Sequence, residues 1–248
     1  MKNFALTLGL SLAASSCLAD TVIGVHGGYN SWDSEFSGAT GVTDIDLNDN
    51  LGLDDERNNN FWLALEHPVP LLPNIMLAQG ELSVSGDGTV NVGDILDDVT
   101  FSQDQAVATD LNLDYTDVTL YYELLDNWVT LDLGLTGRKL EGDLQLVGLF
   151  EQERVDVDDW VPLLYVQARA DLPLGGWFVN ANGYGISYSG NSYTDFSIAL
   201  GYETELLFFA DAGLELGFRR MNFELEDLGD WQTDITVDGI YAGLRFHF

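Results

Sequence analysis

The stretch Ile235-Thr236-Val237-Asp238-Gly239-Ile240-Tyr241-Ala242-Gly243-Leu244-Arg245-Phe246-His247-Phe248 decides the fold. Counted back in twos, Phe248, Phe246, Leu244, Ala242 and Ile240 share one face, and His247, Arg245, Gly243, Tyr241 and Gly239 share the other. A period of two is a β-strand. A strand that is apolar on one side and charged on the other, ending on an aromatic, suits a barrel wall with lipid outside and water inside. A sandwich edge strand gives the same alternation, so the remaining chain has to separate the two.

Working outward, ten candidate strands alternate in this way. They are expected at about 21–31, 60–67, 75–85, 110–124, 129–138, 164–171, 177–188, 195–203, 210–219 and 235–248. Leu111, Leu113 and Tyr115 are one residue out of phase with Val118, Leu120 and Tyr122, which predicts a β-bulge near Thr116-Asp117. The connections alternate short and long. Short turns include His67–Asn74, with three of the five prolines, then Leu125-Asp126-Asn127 and Leu172–Gly176. Long acidic connections are expected up to 58, up to 108 and over 142–158. Ser189-Gly190-Asn191 is the one short hairpin on the long-loop side. A sandwich has no reason to sort its loops by length onto opposite ends. An even-stranded membrane barrel does. The expected fold is therefore an all-β, transmembrane, antiparallel up-and-down β-barrel of ten strands, with eight or twelve following if one hairpin is misread. Tyr29, Trp32, Trp62, Trp128, Trp160 and Trp177 recur near strand ends, as an interfacial girdle would place them.

Residues 1–19 read as a secretory signal peptide, with Lys2 as its positive end, an apolar run from Phe4 to Leu12, and cleavage between Ala19 and Asp20. Residues 20–248 then form one barrel domain. Cys17 is the only cysteine, and Ala14 stands where a lipid-attachment site wants a large aliphatic residue. After cleavage no thiol remains for a disulfide, a thiolate metal site or a cysteine nucleophile. The expected location is the outer membrane, reached by export through the inner membrane, with both termini periplasmic.

The formal charge is −32; without Lys2, 8 cations face 41 acids, a charge of −33. Such a surface repels nucleic-acid phosphates. Aromatics at 12% and a mean hydropathy of +0.02 argue against disorder and fit alternating strands. The expected partners are outer-membrane lipid and lipopolysaccharide, the barrel-insertion machinery, and divalent cations at the acidic loops, with the chain a monomer. No cofactor is expected.

The faces opposite the apolar ones place Glu66, Glu81, Glu123, Asp132, Asp171, Asp195, Glu203, Asp211 and Glu215 in the lumen, with Arg138, Arg169, Arg219 and Arg245. A cation in a narrow lumen needs carboxylate partners. Asp132, Arg138, Arg169, Asp211, Glu215, Arg219 and Arg245 are therefore candidates for a lumen charge network. The network either fills the bore or forms a narrow, porin-like, charge-selective constriction. The histidines are His26, His67 and His247, and no serine is placed by spacing beside any of them, so no catalytic set is expected. An enzyme acting at the long-loop rim is the third reading. His26 and His247 are expected to neighbour each other across the barrel seam. The loop Asp44–Gly52 partly matches a calcium loop through Asp44, Asp46 and Asn48. Asp49 replaces its glycine and Asp55 its bidentate Glu.

Two segments, Phe61-Trp62-Leu63-Ala64-Leu65-Glu66-His67-Pro68-Val69-Pro70-Leu71-Leu72-Pro73-Asn74 and Leu120-Tyr121-Tyr122-Glu123-Leu124-Leu125-Asp126-Asn127-Trp128, resemble an uncharacterised family of proteobacterial outer-membrane β-barrel proteins. The resemblance implies the barrel and its location, and no activity. Ile240, Ala242, Leu244, Phe246 and Phe248 resemble the terminal assembly signal of such barrels. Deleting Phe248 is expected to lower the membrane-inserted fraction, read on heat-modifiable gels, more than Arg245→Ala does. Wild-type insertion of both would remove the strand's role as a signal.

Overall fold

The computed structural model describes residues 23–207, 210–228 and 231–248. The expected leader and its Ala19–Asp20 junction lie outside them. Ten long strands form one closed antiparallel barrel: β1 (Gly24–Thr40), β2 (Asp55–Glu66), β3 (Asn74–Val90), β4 (Gln105–Asp126), β5 (Val129–Gly148), β6 (Gln152–Asp171), β7 (Trp177–Tyr188), β8 (Asn191–Leu207), β9 (Ala210–Leu228) and β10 (Trp231–His247). Each pairs with its chain neighbours, and β10 closes on β1 from His26↔His247 to Thr40↔Thr233. Val25 and Phe248 exchange both backbone hydrogen bonds at 3.0 and 2.9 Å, so the last residue is stitched into the seam. Closure leaves no free edge along that seam, which is what a strand protein in lipid requires.

The strands are longer than expected. Most have 17 to 22 residues, whereas a tilted strand crosses hydrocarbon in about 9–11. The lower part of the wall, toward the short turns, presents Leu63, Leu65, Leu77, Leu120, Leu135, Leu164, Ile198, Leu216, Ile240 and Leu244 outward. Above that band the outward residues turn polar: Asp33 with Arg57, Glu81, Asp114, Glu141, and Lys139 paired to Asp158.

This change corrects three expectations at once. No bulge interrupts Thr116-Asp117. The registers Gln79↔Thr116 and Ala78↔Asp117 run straight through, and Leu111, Leu113, Tyr115, Asp117, Thr119 and Tyr121 all face the interior. The phase shift in apolar residues marks a change of solvent, not a change of backbone. Below it lipid lies outside and polar groups inside; above it water lies outside and an apolar core inside. The irregularity on β4 falls instead between Glu123 and Leu125. The expected loop over 142–158 is a β5–β6 hairpin, with Leu144, Leu146 and Val155 buried inside. Its Glu141, Asp143 and Asp156 point to water, which disguised the strands as loop. Glu81, expected in the lumen, is exposed on the outer face.

The long-loop end is closed by its own chain. Residues 45–53 fold inward and bury Ile45, Leu47, Leu51 and Leu53. They join an upper core that includes Trp32, Phe36, Leu82, Leu111, Met221, Phe223, Ile235 and Val237. The Asp46 carboxylate accepts hydrogen bonds from the backbone N–H of Asn48 (2.9 Å) and Asp49 (2.8 Å). The Asn48 amide donates to Phe36 O and Leu53 O. These contacts make the segment a plug held by its own side chains.

On the water-exposed upper wall Asp114 lies opposite Glu81 on one side and Glu141 on the other. Partial burial, then repulsion from these two acids, holds its carboxyl above the ordinary range. A raised folded-state value means that ionised Asp114 costs stability at neutral pH, and the cost disappears as pH falls through that value. Asp114→Asn is therefore expected to raise the melting temperature by about 1–3 °C at pH 7. The gain should shrink as pH falls, as read by thermal melts at a series of pH values.

Candidate functional site

The lumen has three levels. At mid-height, two arginines and two aspartates meet across the bore. β4 supplies Tyr115 and Asp117, β5 Arg138, β8 Tyr193 and Asp195, and β9 Arg219. Arg138 donates through Nε and Nη2 to both oxygens of Asp117, at 2.7 and 2.6 Å. Its Nη1 donates to Asp195 at 3.0 Å and to the Tyr193 hydroxyl. Arg219 grips Asp195 through Nε (2.9 Å) and Nη2 (2.7 Å), and its Nη1 donates to the Tyr115 hydroxyl at 2.9 Å. Charge is balanced two against two, and Arg138 is only 1% exposed. Forked pairs of this kind are the strongest side-chain hydrogen bonds. Just beside them Arg245 pairs with buried Glu215 at 2.8 Å. The free space at this level is a cavity of about 80 Å³.

Glycines set the aromatic rings that frame these charges. A Cβ on Gly80 would collide with the Tyr115 ring, and one on Gly201 with Phe178. Each aromatic lies flat over the glycine opposite it, Gly80↔Tyr115 and Gly201↔Phe178. Phe178 then offers its face to Arg169, 4.0 Å from the ring centroid.

The short-turn end is wetter, with a cavity of about 230 Å³. His26 and His247 face each other across the seam and stack with centroids 4.1 Å apart and planes 8° from parallel. His26 Nε2 lies 2.9 Å from Glu66, which also accepts from the Tyr121 hydroxyl at 2.9 Å. Arg169 bridges Asp171 (3.0 Å) and Glu203 (3.1 Å). Glu203, Asp211 and His247 stand close enough to share one ion, although Arg169 already engages Glu203.

The structure thus divides the seven residues nominated as a lumen network. Arg138, Glu215, Arg219 and Arg245 gather at mid-height. Arg169 and Asp211 sit at the short-turn end. Asp132 is buried on β5 and makes no ion pair with any described residue; one of its oxygens has no hydrogen-bond partner. Asp117 and the hydroxyls of Tyr115 and Tyr193 went unrecognised. The expected bulge hides Asp117, Tyr115 is grouped with the apolar Leu111 and Leu113, and Tyr193 lies ahead of the strand expected at 195–203. The parity of Asp117 with Tyr115 and Thr119 was the signal that could have found it.

The third level lies above the arginines. A largely apolar cavity of about 750 Å³ is lined by Phe36, Leu82, Leu111, Leu113, Leu140, Phe223, Ile235 and Val237, and extends to Trp160 and Tyr188. Beside it the wall is incomplete. β6 and β7 pair only from Phe178↔Asp171 to Gly185↔Leu164. β6 continues upward from Leu163 to Gln152 paired with β5 alone. β7 stops at Tyr188, where the Ser189-Gly190 turn reverses the chain.

No family model matches the chain, and no curated protein matches it either. Among solved structures, the outer membrane protease OmpT from Escherichia coli matches at TM-score 0.53 with 10% identity, over 91% of this chain and 96% of OmpT. A Pseudomonas aeruginosa FadL homologue matches at TM-score 0.31 with 8% identity, over 91% of this chain and 90% of the homologue. The chain has the fold of an outer-membrane β-barrel.

Removing Arg138 would leave Asp117 a buried, unpaired carboxylate. Arg138→Ala is expected to destabilise the barrel by about 3–5 kcal/mol. Arg138→Met combined with Asp117→Leu should recover most of that loss. Urea unfolding of the detergent-solubilised protein, followed by tryptophan fluorescence, checks both.

Proposed function

We propose that this protein is an outer-membrane barrel of binding type, closed to flow along its axis. The reading sets the short turns and both chain ends in the periplasm and raises the upper wall above the outer leaflet. The observation that carries it is the pair of bidentate arginines spanning the bore, with Arg138 at 1% exposure. A permeant ion would have to break charge-assisted bonds that already satisfy both aspartates. It would then cross an apolar core capped by Leu47, Leu51 and Leu53. Neither step suits conduction, which needs sites weak enough to leave. The acidic outer wall supports an aqueous setting for the upper strands, and the sequence resemblance to the uncharacterised proteobacterial barrel family supports the location.

The reading includes no catalytic step. OmpT is a protease; at 10% identity the likeness carries the fold alone. The stacked histidines engage Glu66 and lie near Asp211, as a satisfied polar seam would. Divalent cations at the acidic loops and the monomeric state remain part of the proposal. Purified protein in planar bilayers is expected to give no stable current steps above background. Reproducible ion-selective steps would overturn closure and favour a narrow channel.

A further inference from the structure

Side chains alternate across a barrel wall, and this locates the upper cavity. On β6, Val155, Val157 and Val161 face the interior, while Asp156, Trp160 and Pro162 face outward. All six line the same cavity. A cavity can touch both faces of one strand only by passing around a free edge, and the unpaired edge of β6 is there to pass around. Pro162 fits an edge, since it has no N–H to offer a missing neighbour. The gap opens just above Leu164, which β6 exposes toward lipid, and the outward-facing, exposed Trp160 flanks it. The cavity therefore has a lateral mouth at the level where lipid gives way to water.

We propose that this cavity binds a single-chain amphiphile with a cationic head, taken in through the gap between β6 and β7. Its volume, about 750 Å³, is that of a small-molecule site. The inner wall, Leu111, Leu113 and Ile235 among it, suits an alkyl chain and offers it little to hydrogen-bond. The polar residues lining it include the acids Asp97, Asp156 and Asp159. Arg154 also lines it but is engaged by Asp156 at 2.8 Å and Asp143 at 3.4 Å. An ammonium group would meet carboxylates there, and a fatty-acid carboxylate would meet repulsion from them and from a chain of charge −32. The site does not rest on closure of the bore, which the current recordings test separately.

Displacement of a neutral fluorescent probe, N-phenyl-1-naphthylamine, from the refolded barrel tests the proposal. Dodecylamine is expected to displace it at a concentration at least tenfold below that of dodecanoate, with dodecanol between them. Asp156→Asn with Asp159→Asn should shrink that tenfold preference to about twofold. Leu113→Trp should fill the cavity and weaken probe binding at least tenfold. Val157→Phe, nearer the mouth and less buried, is the second filling variant should Leu113→Trp fail to fold. Running the assay in amphipol and again in lipid nanodiscs separates delivery from water from delivery through the bilayer. Displacement in either setting supports the site, and displacement in discs alone assigns the bilayer as source. Equal or better binding of dodecanoate would overturn the cationic head. Unchanged probe binding by a correctly folded filling variant would overturn the cavity.

Discussion

A guanidinium buried among strands has to find its counter-charges inside the same wall that removed it from water. Arg138 does so by reaching Asp117 on the neighbouring strand and Asp195 across the bore, where Arg219 holds the other side of the same carboxylate. The chain of pairs ties the β4–β5 hairpin to the β8–β9 hairpin. Each member satisfies a neighbour that would otherwise be costly to bury, so the group stands or falls together. Three tyrosine rings, those of Tyr115, Tyr184 and Tyr193, pack around the Arg138 guanidinium at 4.4, 5.1 and 5.2 Å. Tyr115 and Tyr193 also put their hydroxyls to the arginines. They form the boundary between a polar lower lumen and an apolar upper one.

That boundary sits close to the level at which the outer surface changes from apolar to acidic. The two changes have opposite sign. A wall between lipid and water is apolar outward; a wall between water and an apolar core is apolar inward. Each strand crosses from one regime to the other without altering its pleat. Lengthening strands beyond the hydrocarbon is tolerable only if their upper interior supplies a core of its own. The inward fold of residues 45–53 completes that core from above.

This inversion explains what could be read from the residues and what could not. The closing strand, the strand number and the short turns follow from period-two alternation in the lipid-facing half, where one face is plainly apolar. His26 and His247 could be paired across the seam because the first and last strands of an up-and-down barrel close on each other there. Leu111, Leu113 and Tyr115 misled because alternation reports which residues share a face and says nothing about what lies beyond it. Leu144, Leu146 and Val155 were lost for the same reason, masked by acids that face water. Asp117 stands directly opposite Arg138 in the β4–β5 hairpin, so the expected bulge alone concealed it. Tyr193 and Asp195 reach Arg138 from β8, a strand that shares no register with β5, so no spacing in the chain announces them.

One local exception has the largest consequence. At the long-loop end the Ser189-Gly190 turn is tight, and it sits where β7 and β8 are still low. The neighbouring β6, paired with β5 beyond it, climbs well past it. A turn that short cannot reach up to cover β6, so part of the β6 edge stays unpaired. Exposed edges invite pairing with other chains. Here the edge carries Pro162 and alternating charges at Arg154, Asp156 and Asp158, which blunt that tendency. An edge defended in this way, over a cavity lined by leucine and valine, is more economically understood as a maintained opening than as a failure of the wall to close.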